Sequence, residues 1–153
     1  MPIIRMRKQL DDNDPPAAWP DGVSLIPVSG VDPAALHAIL LVAYANGFGT
    51  VAGYSDWWPN LISDPEYDSA LFLVAADRQG HPVALVQSWT SGFIKDVAVA
   101  SSWRGKGVGE ALMRETFSAF AHRGHHHVDL KVMADNAAAL TLYRRLGMTE
   151  APL

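Results

Sequence analysis

There is no cysteine among the 153 residues of this chain, which excludes disulfides, thiolate zinc sites and a cysteine nucleophile together. That composition suits a reducing compartment. A surplus of basic charge is missing too: the formal net charge is −4, whereas non-specific nucleic-acid binding needs a cationic surface. No apolar run reaches membrane-spanning length, and residues 1–10 carry Arg5, Arg7 and Lys8 without the apolar core of a signal peptide. The expectation is a cytoplasmic chain with no membrane and no nucleic acid as partner. Repeats and low-complexity segments are also lacking. What is present is 49% hydrophobic and 18% charged, a globular composition at the size of one domain.

Along the chain, residues 1–22 read as an arm. Ile4 and Met6 alternate with Arg5 and Arg7 as in an edge strand, and Pro15, Pro16 and Pro20 keep the rest extended. Residues 23–153 read as the domain proper. Val23 to Val28 is a short strand candidate. Asp32-Pro33 starts a helix that runs to about Ala45, with Leu36, Ile39, Leu40 and Ala43 as its buried face. Phe48 to Asp68 has the least pattern, and Tyr54, Trp57 and Trp58 there either line a pocket or anchor the core. Leu71–Ala76, Val83–Trp89 and Phe93–Ala100 are three strands with short connections, an antiparallel meander.

The next segment organises the rest. After the strand come Arg104, Gly105, Lys106, Gly107, Val108 and Gly109, and then the period changes. Gly109, Leu112, Met113, Thr116, Phe117, Phe120 and Ala121 mark one face of an amphipathic helix, with Gly124 after its end. The first amides of a helix lack intrahelical partners and sit at the positive end of its dipole. Glycines let an anion approach them, and Arg104 and Lys106 add charge, so this is either a phosphate cradle or simply a tight glycine-rich turn. A strand at Val128–Val132 follows, then a helix capped by Asn136 with Ala139, Leu142, Tyr143 and Leu146 as its apolar stripe. His122, His125, His126 and His127 cluster at a helix-to-strand connection. The solvated-loop reading is preferred there to a metal site, because carboxylate partners at helical spacing are missing.

Val99 followed by Arg104, Gly107 and Gly109 resembles the acetyl-coenzyme A signature of the GNAT superfamily of N-acyltransferases. Asn136, Leu142-Tyr143 and Leu146-Gly147-Met148 resemble its closing segment, with Met148 where Phe is usual. The resemblance implies an α/β fold with a central, mostly antiparallel sheet splayed between two strands and flanked by helices. It implies acetyl-CoA as cosubstrate, bound by Val97, Ala98, Val99, Arg104, Gly105, Lys106, Gly107, Val108, Gly109, Asn136 and Tyr143. It also implies acetyl transfer to a primary amine of a small molecule or peptide, with Tyr143 catalytic at the leaving thiolate. Without the resemblance, Tyr143 reads first as a core aromatic on an apolar stripe.

A base for the attacking amine is not identified by the sequence. Strand alternation puts Phe93, Lys95, Val97 and Val99 on one face and Ile94, Asp96 and Ala98 on the other, leaving Asp96 or a water chain as candidates. Ribosomal-protein N-terminal acetyltransferases place a glutamate where this sequence has Lys131. Two alternatives stand beside the enzyme: a non-catalytic coenzyme A-binding domain, and a dinucleotide-binding module suggested by the glycines and by Asp129. The proline-bearing arm and Asp64-Pro65-Glu66-Tyr67-Asp68 resemble single domains related to mycothiol synthase, a likeness of pattern that carries no substrate with it. Little sequence follows Gly147, so the last strand is missing or is supplied by Ile3–Leu10 or a partner subunit. An open edge would favour a homodimer.

Overall fold

The computed structural model describes residues 2–153. At the amino end, alternation of apolar and basic residues builds β1 (Ile3–Gln9), which buries Met6 and turns Arg5 and Arg7 to the other face. The sequence suggests an edge strand, but β1 lies inside the sheet. It pairs antiparallel with β6 (His127–Met133) along its length and with a short β7 (Thr149–Ala151) on its other side. Charge fixes this position. Asp129 on β6 accepts from Arg5 Nη1 at 2.7 Å and from Arg7 Nε at 2.8 Å, so the register that buries Met6 also sets two guanidiniums on one carboxylate. The sheet is therefore completed within the chain, by β1 and by the β7 that the sequence did not reveal. Its edges, β7 and β2 (Ser24–Ile26), are both very short, which removes the open edge that suggested a homodimer.

Asp32 caps α1 (Pro33–Tyr44) by accepting from the Ala34 amide at 3.0 Å, a contact worth about 1 kcal/mol. Leu36, Ile39 and Leu40 are buried as their spacing predicts. His37 joins them, while Ala43 is only half-buried. The stretch with least pattern forms α2 (Tyr54–Ser63). Its Trp57 is buried and packs against His37 and Trp58 rather than lining a pocket, and Tyr54 is exposed. The meander is β3 (Phe72–Ala76), β4 (Pro82–Trp89) and β5 (Phe93–Val99). Next comes α3 (Val108–His122), which buries Leu112, Met113, Thr116, Phe117 and Phe120. Ala121, expected on that face, is exposed and Ala111 is buried instead. After β6, Asn136 caps α4 (Ala137–Arg145).

The strand order is β2-β3-β4-β5-β6-β1-β7, with β5 and β6 parallel and every other neighbouring pair antiparallel. This is not the doubly wound parallel sheet of a dinucleotide-binding module, and Asp129, the acid that suggested one, is held by Arg5 and Arg7. Helices α1 and α2 cover one sheet face over Leu36, Leu40, Trp57, Phe72 and Leu85. On the other face α3 and α4 enclose Leu112, Phe117, Phe120, Leu130 and Leu146. No helix of the described residues is long and apolar enough to cross a membrane.

Two irregularities of β5 position the site. Its pairing with β6 covers only Phe93 opposite Asp129 and Ile94 opposite Leu130, so the two strands part from Lys95 onward. Its pairing with β4 steps from Ser88 opposite Ile94 to Gln87 opposite Asp96, leaving Lys95 unopposed. That extra residue is a β-bulge, and it reverses the alternation. Ile94 packs with the α3 core and Ala98 with the α1 core. The even alternation read from the sequence is thus corrected: Asp96 shares a face with Ala98 but not with Ile94.

Candidate active site

Where β5 and β6 part, the start of α3 and the side of α4 close a cleft of about 480 Å³. Of the residues singled out in the sequence, Val97, Ala98, Val99, Arg104, Gly105, Gly107, Val108, Gly109 and Tyr143 all line it. Gly105 and Gly107 adopt φ of +74° and +89°, left-handed values that side chains disfavour, and a Cβ on either would meet nothing within 4 Å. Their backbone therefore faces open space at the helix start, as an anion cradle requires. Gly109 is different. A Cβ there would stand 3.4 Å from Val99 Cγ2 and 3.6 Å from Leu142 Cδ2, so its missing side chain lets α3 close against β5 and α4.

Arg104 clasps the turn to the strand through Nε, which donates to the Val99 carbonyl at 3.2 Å. Lys106 is not brought into the lining: its Nζ sits over the Trp103 ring, 5.0 Å from the centroid. Glu110, in the first turn of α3, has its charge offset by Arg145 at 3.5 Å. Asn136 accepts from the Ala139 amide at 3.3 Å, so its carbonyl is committed to capping α4. Its place is in an adjoining slot of about 300 Å³ between β5 and β6.

Tyr143 lines both the cleft and the slot. Burial, and then the negative charge of Asp96, push its phenol up to about 12, so it stays protonated at neutral pH. Across the slot stands Tyr44, which the sequence reading passed over. The signal was available: Leu36, Leu40 and Tyr44 recur every four residues along one face of α1. Tyr44 Oη donates to Asp96 Oδ1 at 2.6 Å, and Lys95 Nζ donates to Asp96 Oδ2 at 2.8 Å. Burial and Asp96 raise the Tyr44 phenol far above its ordinary value. The buried Asp96 carboxylate is thus connected to the slot through a tyrosine hydroxyl and a lysine.

The acetyltransferase (GNAT) family model matches residues 34–148. The chain belongs to this family. Among its GNAT relatives is a mycothiol acetyltransferase of Tsukamurella paurometabola, 33% identical over 97% of the chain and 56% of the relative. One from Pseudarthrobacter chlorophenolicus is 34% identical over 96% of the chain and 49% of the relative. A solved GCN5-related N-acetyltransferase from Sphaerobacter thermophilus superposes with a TM-score of 0.81 at 29% identity, over 97% of this chain and 48% of that one. The chain spans about half the length of the curated relatives it matches.

Other features of this GNAT chain lie apart from the cleft. His125 packs edge-on against Phe120, His122 Nδ1 lies 2.8 Å from the Ser118 carbonyl, and no group of three metal-ligating side chains converges among the described residues. Trp89 lines a polar cleft with Arg5, Arg7 and Lys131.

Proposed function

We propose that this GNAT chain transfers an acetyl group from acetyl-CoA to a primary amine, of a small molecule or a peptide, by direct attack within a ternary complex. The observation that carries this reading is the position of Tyr143, a buried phenol shared by the cleft and the slot at the parting of two strands. The donor fits the residues present. Amides of Gly105 to Gly109 would take its pyrophosphate, in the open space that a Cβ at Gly105 or Gly107 would enter. Beyond Ile94, β5 has a strand partner on one side only, so Val97 to Val99 can accept the peptide-like pantetheine arm as an added strand, with Asn136 on its far side.

The chemistry follows from protonation. The amine nitrogen attacks the thioester carbonyl, the carbon–sulfur bond breaks, and the leaving thiolate receives the hydrogen bond or proton of Tyr143 Oη. The nitrogen sheds its proton to Tyr44 Oη as Tyr44 passes its own to Asp96 Oδ1 along the 2.6 Å hydrogen bond. No carboxylate need enter the slot itself. This path weakens the non-catalytic alternative, which rested on the lack of a base. With no cysteine, an acyl-thioester relay on the protein is not available.

Release of free thiol from acetyl-CoA in the presence of an amine panel tests the proposal, with the acceptor of the mycothiol acetyltransferases as one arm. Amine-dependent release supports the enzyme. Tight acetyl-CoA binding without turnover on any arm would return the chain to a sensor role.

A further inference from the structure

The face that α1 and α2 cover over β4 and β5 continues onto β6 and β1, where its side chains are Arg5, Arg7, His127, Asp129 and Lys131. With Glu66, Trp89 and Phe93 they line a polar cleft of about 550 Å³. Lys131 is common to the lining of this cleft and of the slot that holds Tyr44 and Tyr143.

The charges here do not close among themselves. Asp129 is ionised well below the ordinary carboxylate range, chiefly by the hydrogen bond from Arg7 and also by that from Arg5. One carboxylate thus answers two guanidiniums. Glu66 is turned to the Ser91 amide at the β4–β5 connection, 3.1 Å away. Lys131 makes no ion pair among the described residues. Moreover, Lys131 lies directly opposite Arg5 in the β1–β6 register. Like charges directly opposite across a strand pair repel, unless an anion lies between them. A second, independent feature points the same way: Arg5 gives Nη1 to Asp129, but its Nε is buried with no hydrogen-bond partner. A buried donor without a partner is costly, and a rotation of the guanidinium that turned it to the cleft would let an oxyanion satisfy it.

We infer that Arg5 and Lys131 form the binding site for an anionic group of the amine acceptor, a carboxylate or a phosphate. This rests on the acetyl-transfer reading above. Because Lys131 also borders the slot, the anionic group sits only a few bonds from the nitrogen that is acetylated. Arg7 and Asp129 are positioning residues that hold Arg5 in place.

Two experiments test this separately from acetyl transfer. In the first, the full chain is titrated with inorganic phosphate and, in a parallel arm, with acetate, while the Arg5 Nε–H resonance is followed by nitrogen NMR. A saturable shift in one arm identifies the anion, and its loss in Lys131→Glu, an exposed position, is expected; no shift, or the same shift in Lys131→Glu, overturns the inference. In the second, kcat/KM is compared for phosphoethanolamine, β-alanine and their neutral counterparts ethanolamine and β-alaninamide. The preferred anionic amine is expected to lead its neutral counterpart about tenfold, mostly through KM, and Lys131→Met to reduce that to about twofold or less. Equal or better use of the neutral amines overturns the inference. Failure of acetyl-CoA to bind would sink the acetyl-transfer reading instead, and the anion titration would still decide the site.

Discussion

At the scale of single residues, the site depends on where protons are held. Tyr143 is kept protonated by burial and by Asp96, with a phenol at about 12. Replacing it with Phe should lower kcat about 10- to 100-fold while the acetyl-CoA dissociation constant changes less than about twofold. Stopped-flow or steady-state thiol release together with calorimetry separates these two effects. The pH dependence has a definite sign. A phenol raised to about 12 loses its proton only above the working range, so kcat/KM should climb as the acceptor amine deprotonates, with no fall below about pH 10. Tyr44 and Asp96 act as one hydrogen-bonded unit. Tyr44→Phe and Asp96→Asn should each reduce kcat about tenfold, and the double variant about as much as either alone. Strict additivity of the two losses would separate them and remove the relay. Of these three residues the sequence yielded Tyr143 through family resemblance and Asp96 as an undecided candidate. Tyr44 went unnoticed because it ends an apolar helix face, where an aromatic reads as packing.

At the scale of elements, β5 explains both what was legible and what was not. Its apolar and β-branched residues identify it as a strand, and the glycines after it identify the turn. The bulge at Lys95 is invisible in the pattern, because the residues around it still alternate in polarity while the face they point to has changed. β1 was misplaced for a related reason. An alternating strand with arginines on one face looks like an edge when the carboxylate that pairs with them is more than a hundred residues away. The pairing carries a stability consequence. Asp129 titrates below its unfolded value, so its contribution is present above about pH 4 and is lost as acid carries the pH down through the folded value. Asp129→Asn should therefore lower stability by about 1–3 kcal/mol near neutrality, and the gap from wild type should narrow on acidification, as followed by denaturant titration.

At the scale of the whole molecule, two cores share one sheet, and the sheet is opened at a single seam. That architecture was legible through the meander, the helix after the glycines and the capped final helix, all local signals. The closure of the sheet was legible only in part: Ile3–Leu10 was one of the ways the sequence left open to complete it, and β1 does so, but β7 went unread, because both pairings join the two ends of the chain. The seam matters most. It brings residues from α1, β5, α3 and α4 around one space, and the acetyl-transfer reading stands or falls on what fills that space. Titration calorimetry with acetyl-CoA, using NADH and ATP as controls, addresses this directly. Saturable micromolar binding of acetyl-CoA that NADH does not match, weakened by Gly107→Val, is the expected result. No binding of acetyl-CoA, or equal binding of NADH, would contradict the assignment of the seam as a donor site, and with it every catalytic role given to Tyr143, Tyr44 and Asp96.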